Sequence, residues 1–405
     1  MAATIEGQPR RQPVPRGIAR TGPVLFSYGF RPFFLTAGLW AIAAMGLWIG
    51  ALILDWPVGG SFGAPNWHAH EMLFGYTSAA LAGFLLTAVP NWTGRLPVSG
   101  TPLIGLFSVW IAGRLAMLWP DALPPYFAVV IDAAFLPLLL AICAREIVAG
   151  RKWKDVKILA GVGALALANI GYHAVAANGG DIGMANRAAI SAYIMLISIM
   201  GGRVVPSFTR NWLAKRGKTA LPAPFSRFDT VVLLIALLAL IGWTVAPDAV
   251  WVAALAATAG VLHGIRLARW RGWKTWGEKL VSVLHVGYSF VPLGFFGITL
   301  AQMGWLNAIS ALHLFTVGAI GVMTLAVMTR ATRGHTGLPL AASKTTAISY
   351  GLLILAAIAR PLVDVWPDLT VELLAIAGTF WILAFVLYAL EYAPILLRRR
   401  RERGE

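Results

Sequence analysis

Apolar residues in this chain come in long unbroken blocks, not at every second position or every third and fourth. Twelve blocks stand out, near 33–54, 67–89, 101–119, 123–146, 157–177, 185–209, 228–246, 249–268, 279–302, 307–329, 345–363 and 370–396. About twenty apolar residues in a helix cross roughly 30 Å of hydrocarbon. The pattern therefore predicts an all-α, polytopic bundle of twelve transmembrane helices. The seams at 246–249 and 303–306 are the shortest connections it requires.

Charge tests that count, because loops on the cytoplasmic side of a membrane collect Lys and Arg. With the N-terminus inside, the inner segments hold Arg31, Arg95, Arg145, Arg151, Lys152, Arg203, Arg210, Lys215, Arg266, Arg269, Lys279, Arg330, Arg333 and Arg398. The outer segments hold only Arg114, Arg187 and Arg360, among Asp55, Asp121, Asp181, Asp248, Asp364 and Asp368. One missing or extra span would scramble this alternation. Both termini are thus expected in the cytoplasm. A basic N-terminal tail (1–30) and a short basic C-terminal tail (398–405) flank one transmembrane domain (31–397), with possible halves 31–210 and 228–397.

Composition agrees. Of 405 residues, 58% are hydrophobic and 12% charged, about half the charge of a soluble domain. The net charge of +16 would suggest nucleic acid if it were clustered on a soluble surface. Distributed over inner loops it serves anionic lipid headgroups instead, so the expected partner is the bilayer and not nucleic acid. A single cysteine, Cys143 in LLLAICA, excludes an internal disulfide and any cysteine-based zinc or iron–sulfur site. It reads as an inert core residue. The N-terminal stretch lacks the apolar core of a cleaved signal peptide.

The polar residues inside the blocks carry the chemistry, since ionisable groups in hydrocarbon are costly and usually functional. His68, His70 and Glu71 stand at the mouth of the second block, in NWHAHEMLFGY. His173 and His313 fall at similar depth, His313 about 9 Å from its helix end at 1.5 Å per residue. His263, His285 and His335 form a second layer towards the basic side. Imidazole is the commonest nitrogen ligand of copper and haem iron. One outer centre of His68, His70, His173 and His313 is expected, with Glu71 beside it, and an inner site of His263, His285 and His335. The plainer reading of each histidine is a hydrogen bond between helices. Residues two apart on a helix point about 200° away from one another, so His68 and His70 share a metal only where the helix is not yet formed. A haem here would be b-type and non-covalent, because no CxxCH motif exists. Met72, Met323 and Met328 are weaker ligand candidates. Arg114 and Asp132 are expected to pair. Arg203, Arg330 and Arg333 are expected either to snorkel or to bind haem propionates, and Asn91 to cap a helix after Pro90.

FSYGFRPFF, WHAHEMLFGYTSAALAGFLLTAVPNWTGR, GGRVVPSFTRNWL and HLFTVGAIGVMTLAVMTRATRGHTG resemble the signature blocks of the NnrS family over about residues 26–395. The resemblance implies a twelve-span bacterial cytoplasmic-membrane protein containing haem and copper, linked to nitric oxide and nitrosative stress. His68, His70, His313 and His335 lie in the longest matching blocks; which histidine holds which cofactor does not carry over, and no electron donor is implied. Three other readings stay open at this point: a nitric oxide reductase or oxidase, a twelve-span secondary transporter, and a haem- or copper-handling protein.

Overall fold

The computed structural model describes residues 22–399, so the N-terminal tail up to residue 21 and the C-terminal tail from residue 400 lie outside the described residues. Twelve helices are long and apolar enough to cross a membrane. They are α1 (Phe30–Leu54), α2 (Ala64–Thr93), α3 (Thr101–Leu118), α4 (Tyr126–Ala149), α5 (Trp153–Ala177), α6 (Gly183–Ala214), α7 (Arg227–Val245), α8 (Val250–Lys274), α9 (Lys279–Gln302), α10 (Ala308–Thr336), α11 (Lys344–Asp364) and α12 (Pro367–Leu397). Each answers one apolar block of the sequence.

Most consecutive helices pack on one another, and α1 closes against α12. The most apolar stretches of α2 and α9 are 78% buried by protein, against 33% for α1, α4 and α12. The inner pair is therefore the place to look for side chains that lipid cannot serve. Glycine makes that burial possible, because without a Cβ a neighbouring ring lies directly on the backbone. Phe315 of α10 rests over Gly294 of α9, and Phe290 of α9 over Gly318 of α10.

Two helices depart from regular geometry. In α2 the stretch Glu71–Tyr76 is π-helical, with the Thr77 N–H reaching back five residues to the Met72 carbonyl. In α10 the stretch Leu314–Gly321 is π-helical as well. Both begin directly after a histidine, His70 and His313, and wide turns of this kind concentrate at functional sites.

Two local expectations meet different outcomes. Cys143 is buried in the core and free, as expected. Asn91 does not cap: α2 continues past Pro90 to Thr93, and the Asn91 side chain donates back to the Thr87 carbonyl at 2.9 Å. A proline lacks only its own N–H, and the helix end here is supplied instead by Gly94, left-handed at φ 75°.

Candidate metal centre and cofactor cavity

The four histidines expected in one centre divide into two groups on opposite sides of α2. Residues 64–70 are α-helical, so His68 and His70 point apart, as helix geometry requires.

His70 faces α4 and α5. Its Nδ1 lies 2.9 Å from Glu71 Oε1, and its Nε2 lies 3.1 Å from both Asp132 Oδ2 and Asn169 Oδ1. His173 Nε2 reaches the same Asp132 oxygen at 2.8 Å, and Asn169 Nδ2 donates to it at 3.0 Å. Arg114 donates Nη1 to Glu71 Oε2 at 2.5 Å and Nη2 to Asp132 Oδ1. Trp40 Nε1 completes the shell on Glu71 Oε2 at 2.8 Å. Five helices, α1 to α5, thus meet at one buried polar knot in which His70, Glu71 and Asp132 are inaccessible or nearly so.

With Asn169 Nδ2 donating to Asp132, both nitrogens of His70 face oxygen atoms of Glu71, Asp132 and Asn169. His70, Asp132 and His173 each offer a ligand atom, and these atoms lie within 4.8 Å of one another. The Nδ1 of His173 is buried without a hydrogen-bond partner, a vacancy that few native polar atoms tolerate. The donor set fits a copper ion: two imidazole nitrogens and a carboxylate oxygen suit Cu(II), whereas Cu(I) prefers sulfur.

Gly75 explains how the knot packs. A methyl group there would stand 2.7 Å from Arg114 Nη1 and Trp40 Nε1 and 2.8 Å from Glu71 Oε2. The absent side chain leaves room for the guanidinium to cross to both carboxylates.

His68 faces the other way, into a cavity of about 360 Å³ between α1, α2, α6, α10, α11 and α12, a size usual for small-molecule sites. Its imidazole stacks on Trp48 with centroids 4.7 Å apart. His313 lines the same cavity, and its Nδ1 engages the Ile309 carbonyl at 2.6 Å. That bond leaves Nε2 as the nitrogen available to a metal. Three buried polar atoms on the lining residues lack any partner: His68 Nδ1, Asn186 Oδ1 and Arg360 Nη1. The remaining wall is largely apolar, with Met72, Leu73, Val317, Ile320 and Trp381. Two histidines, a cation and flat greasy walls are what a non-covalent haem requires, so the residues fit the group.

The inner histidines do not share surroundings. His263 Nδ1 is 2.9 Å from Tyr288 Oη, His285 Nε2 is 2.8 Å from Thr209 Oγ1, and His335 packs against the rings of Tyr28 and Phe30. Among the described residues the metal-compatible group is the His70 knot, and the three inner histidines form none. Arg203 pairs with Asp155 at 2.6 Å, Arg330 lies over the Phe208 ring, and Arg333 pairs with Glu391 at 3.2 Å. All three sit at the basic end of the bundle, away from the cavity, and the arginine that lines the cavity is Arg360. Met72 lines the cavity, while Met323 and Met328 are packed in the core.

Arg114 and Asp132 pair as expected, but Asp132 is also a ligand candidate, which spacing alone did not signal. The signal was present: a carboxylate in a hydrocarbon block is rarely placed for one salt bridge. A comparison with curated proteins gave no match. The family model described as NnrS protein matches residues 24–400, nearly the whole described chain, and on that ground the chain belongs to the NnrS family.

Proposed function

We propose that this protein is a haem- and copper-binding membrane protein acting in the bacterial response to nitric oxide, with its basic end facing the cytoplasm. Copper is assigned to His70, Asp132 and His173, held in place by Glu71, Arg114 and Asn169. A b-type haem is assigned to the cavity, where His313 and His68 would hold its iron and Arg360 would neutralise its carboxylates. Ferrous haem and copper both bind nitric oxide, a small apolar gas that partitions into the bilayer, which is the chemistry these groups would supply. The protein's own residues exclude water, fix the ligand tautomers through Ile309 and Asp132, and neutralise charge through Arg114 and Arg360.

The observation that carries this reading is the convergence of His70, Asp132 and His173 from three helices on one point inside a dry bundle. The test is iron and copper analysis of purified protein together with its optical and paramagnetic spectra. The reading expects both metals, loss of copper in His173→Ala, and loss of haem in His313→Ala. Protein free of both metals after expression with haem and copper supplied would overturn it.

A further inference from the structure

The six helices around the cavity grade from accessible to buried in one direction. Along α2, Pro65 is exposed, His68 and Met72 are half-buried, and Leu73 and Tyr76 are buried. Along α10, Ile309 is exposed, His313 and Thr316 are half-buried, and Ile320 is buried. α6 steps from half-buried Asn186 to buried Ile190, and α12 from half-buried Leu374 to buried Trp381. α1 and α11 run the opposite way through the bundle, and their order reverses. Met45 is buried and Trp48 half-buried, Ala356 buried and Arg360 half-buried. On all six helices the accessible side is the end of the bundle that carries Asp55, Asp181, Asp364 and Asp368. The cavity is therefore a blind funnel. It runs about 18 Å from Pro65 to Thr77 at 1.5 Å per residue, and its mouth is at the acidic end.

The floor is sealed by rings. Tyr76 meets Trp381 and Phe385 edge-on, with centroids 5.4 and 5.3 Å apart, and its hydroxyl lies 2.5 Å from Thr324 Oγ1. Trp381 Nε1 in turn donates to the Ala41 carbonyl at 3.0 Å. The rim is tied together by Asp364, which accepts from the Asn307 N–H at 2.5 Å and from Ser310 Oγ at 2.8 Å. Those two bonds fix the start of α10 to the end of α11.

Polarity grades with depth as accessibility does. The buried polar atoms without a partner, His68 Nδ1, Asn186 Oδ1 and Arg360 Nη1, belong to residues of the mouth half. Leu73, Ile320, Ala377 and Trp381 make the deeper wall apolar. A ligand that suits both halves is amphipathic, with its anionic end at the mouth and its apolar body below. Entering from the acidic end, body first, it never carries its charge through hydrocarbon. Entering from the basic end, it would drag carboxylates past the ring cluster at the floor without a hydrogen bond to replace their water, which is a costly transfer.

We propose that the cavity exchanges its ligand through the acidic end of the bundle, by a mouth rimmed by Pro65 and Ile309, and that haem enters and leaves there. The proposal rests on the cavity being the haem pocket.

The test uses full-length, haem-free protein in detergent, where both ends are open to solvent. Ile309→Cys and, separately, Pro65→Cys are coupled to a polyethylene glycol maleimide. Leu340→Cys, exposed in the loop at the basic end, is coupled in the same way as a control. The native Cys143 is buried and gives little background labelling. Haem is then mixed in, and the rise of the bound spectrum is followed in time. The label at Ile309→Cys or Pro65→Cys should slow binding at least about tenfold against the same variant unlabelled, a modest increase in the entry barrier. The final spectrum should be unchanged, and the label at Leu340→Cys should leave the rate alone. Binding at the unlabelled rate with both mouth variants labelled means entry between helices or from the basic end, and overturns the proposal while leaving the haem reading intact. Slowing by the label at Leu340→Cys alone does the same. Protein that takes up no haem in any form overturns both.

Discussion

Asp132→Asn keeps the shape of the side chain and removes one charge from the centre of the knot. In the native protein Asp132 Oδ2 accepts from three groups, His173 at 2.8 Å, Asn169 at 3.0 Å and His70 at 3.1 Å, while Oδ1 accepts from Arg114. An amide offers one oxygen and two N–H donors. Whichever way it turns, its NH2 group confronts donors already aimed at it. Arg114, which pairs with both Glu71 and Asp132, also loses one of its two carboxylate partners in a buried site. Breaking a buried ion pair by removing one partner costs about 3–5 kcal/mol, and the lost metal ligand adds to this whenever copper is bound. The assay is unfolding in detergent by denaturant, with and without added copper, alongside copper content per chain. The expected result is a loss of about 3–5 kcal/mol without copper, and copper bound at well under one per chain. A variant within about 1 kcal/mol of the parent, still binding copper stoichiometrically, would refute both the structural weight given to the Arg114–Asp132 pair and the ligand assignment. Repeating the measurement with Arg114→Met, singly and combined, isolates the coupling, which should be at least about 1 kcal/mol for residues in one network.

His313→Ala should abolish the visible haem spectrum; an unchanged spectrum at full haem content would reject His313 as axial ligand. Arg360→Met should weaken haem binding by about ten- to a hundredfold, from loss of a charge-assisted hydrogen bond worth about 1.5–3 kcal/mol, as read by titrating haem into the haem-free protein; unaltered affinity would place the propionates elsewhere. Gly75→Ala should destabilise the fold by about 1–3 kcal/mol through overpacking, whereas Gly171→Ala, where a methyl meets nothing within 4 Å, should be neutral in the same thermal-unfolding assay. Equal behaviour of the two glycine variants would contradict the account of how Arg114 reaches its carboxylates.

Much of the architecture was legible because the signals for it are long. Twenty apolar residues and a loop's charge each average over many positions, so twelve spans follow without knowing any contact. The site was legible only by residue type. His68 and His70 invite assignment to one metal because they are adjacent in sequence, but an α-helical stretch at 64–70 turns them to different neighbours. Depth along a helix, all that sequence position gives for these histidines, says nothing about angle around the bundle. That missing coordinate is why His68 and His313 line a cavity while His70 and His173 meet at Asp132. The three inner histidines share depth but pack against Tyr288, Thr209 and Tyr28 respectively. Arg360 went unnoticed because one arginine on an acidic side reads as a topological exception.

The wide turns in α2 and α10 bear on how such a protein tolerates change. Each holds one residue more than a regular turn, so the rod above it is rotated by about 100° relative to the rod below. In α2 this places the buried His70 on one side of the wide turn and the buried Tyr76 on the other. Deleting a single residue between Glu71 and Tyr76 would restore an ordinary spiral and swing His68 and His70 away from their partners. The length of that short segment, and not only its letters, is therefore under chemical constraint.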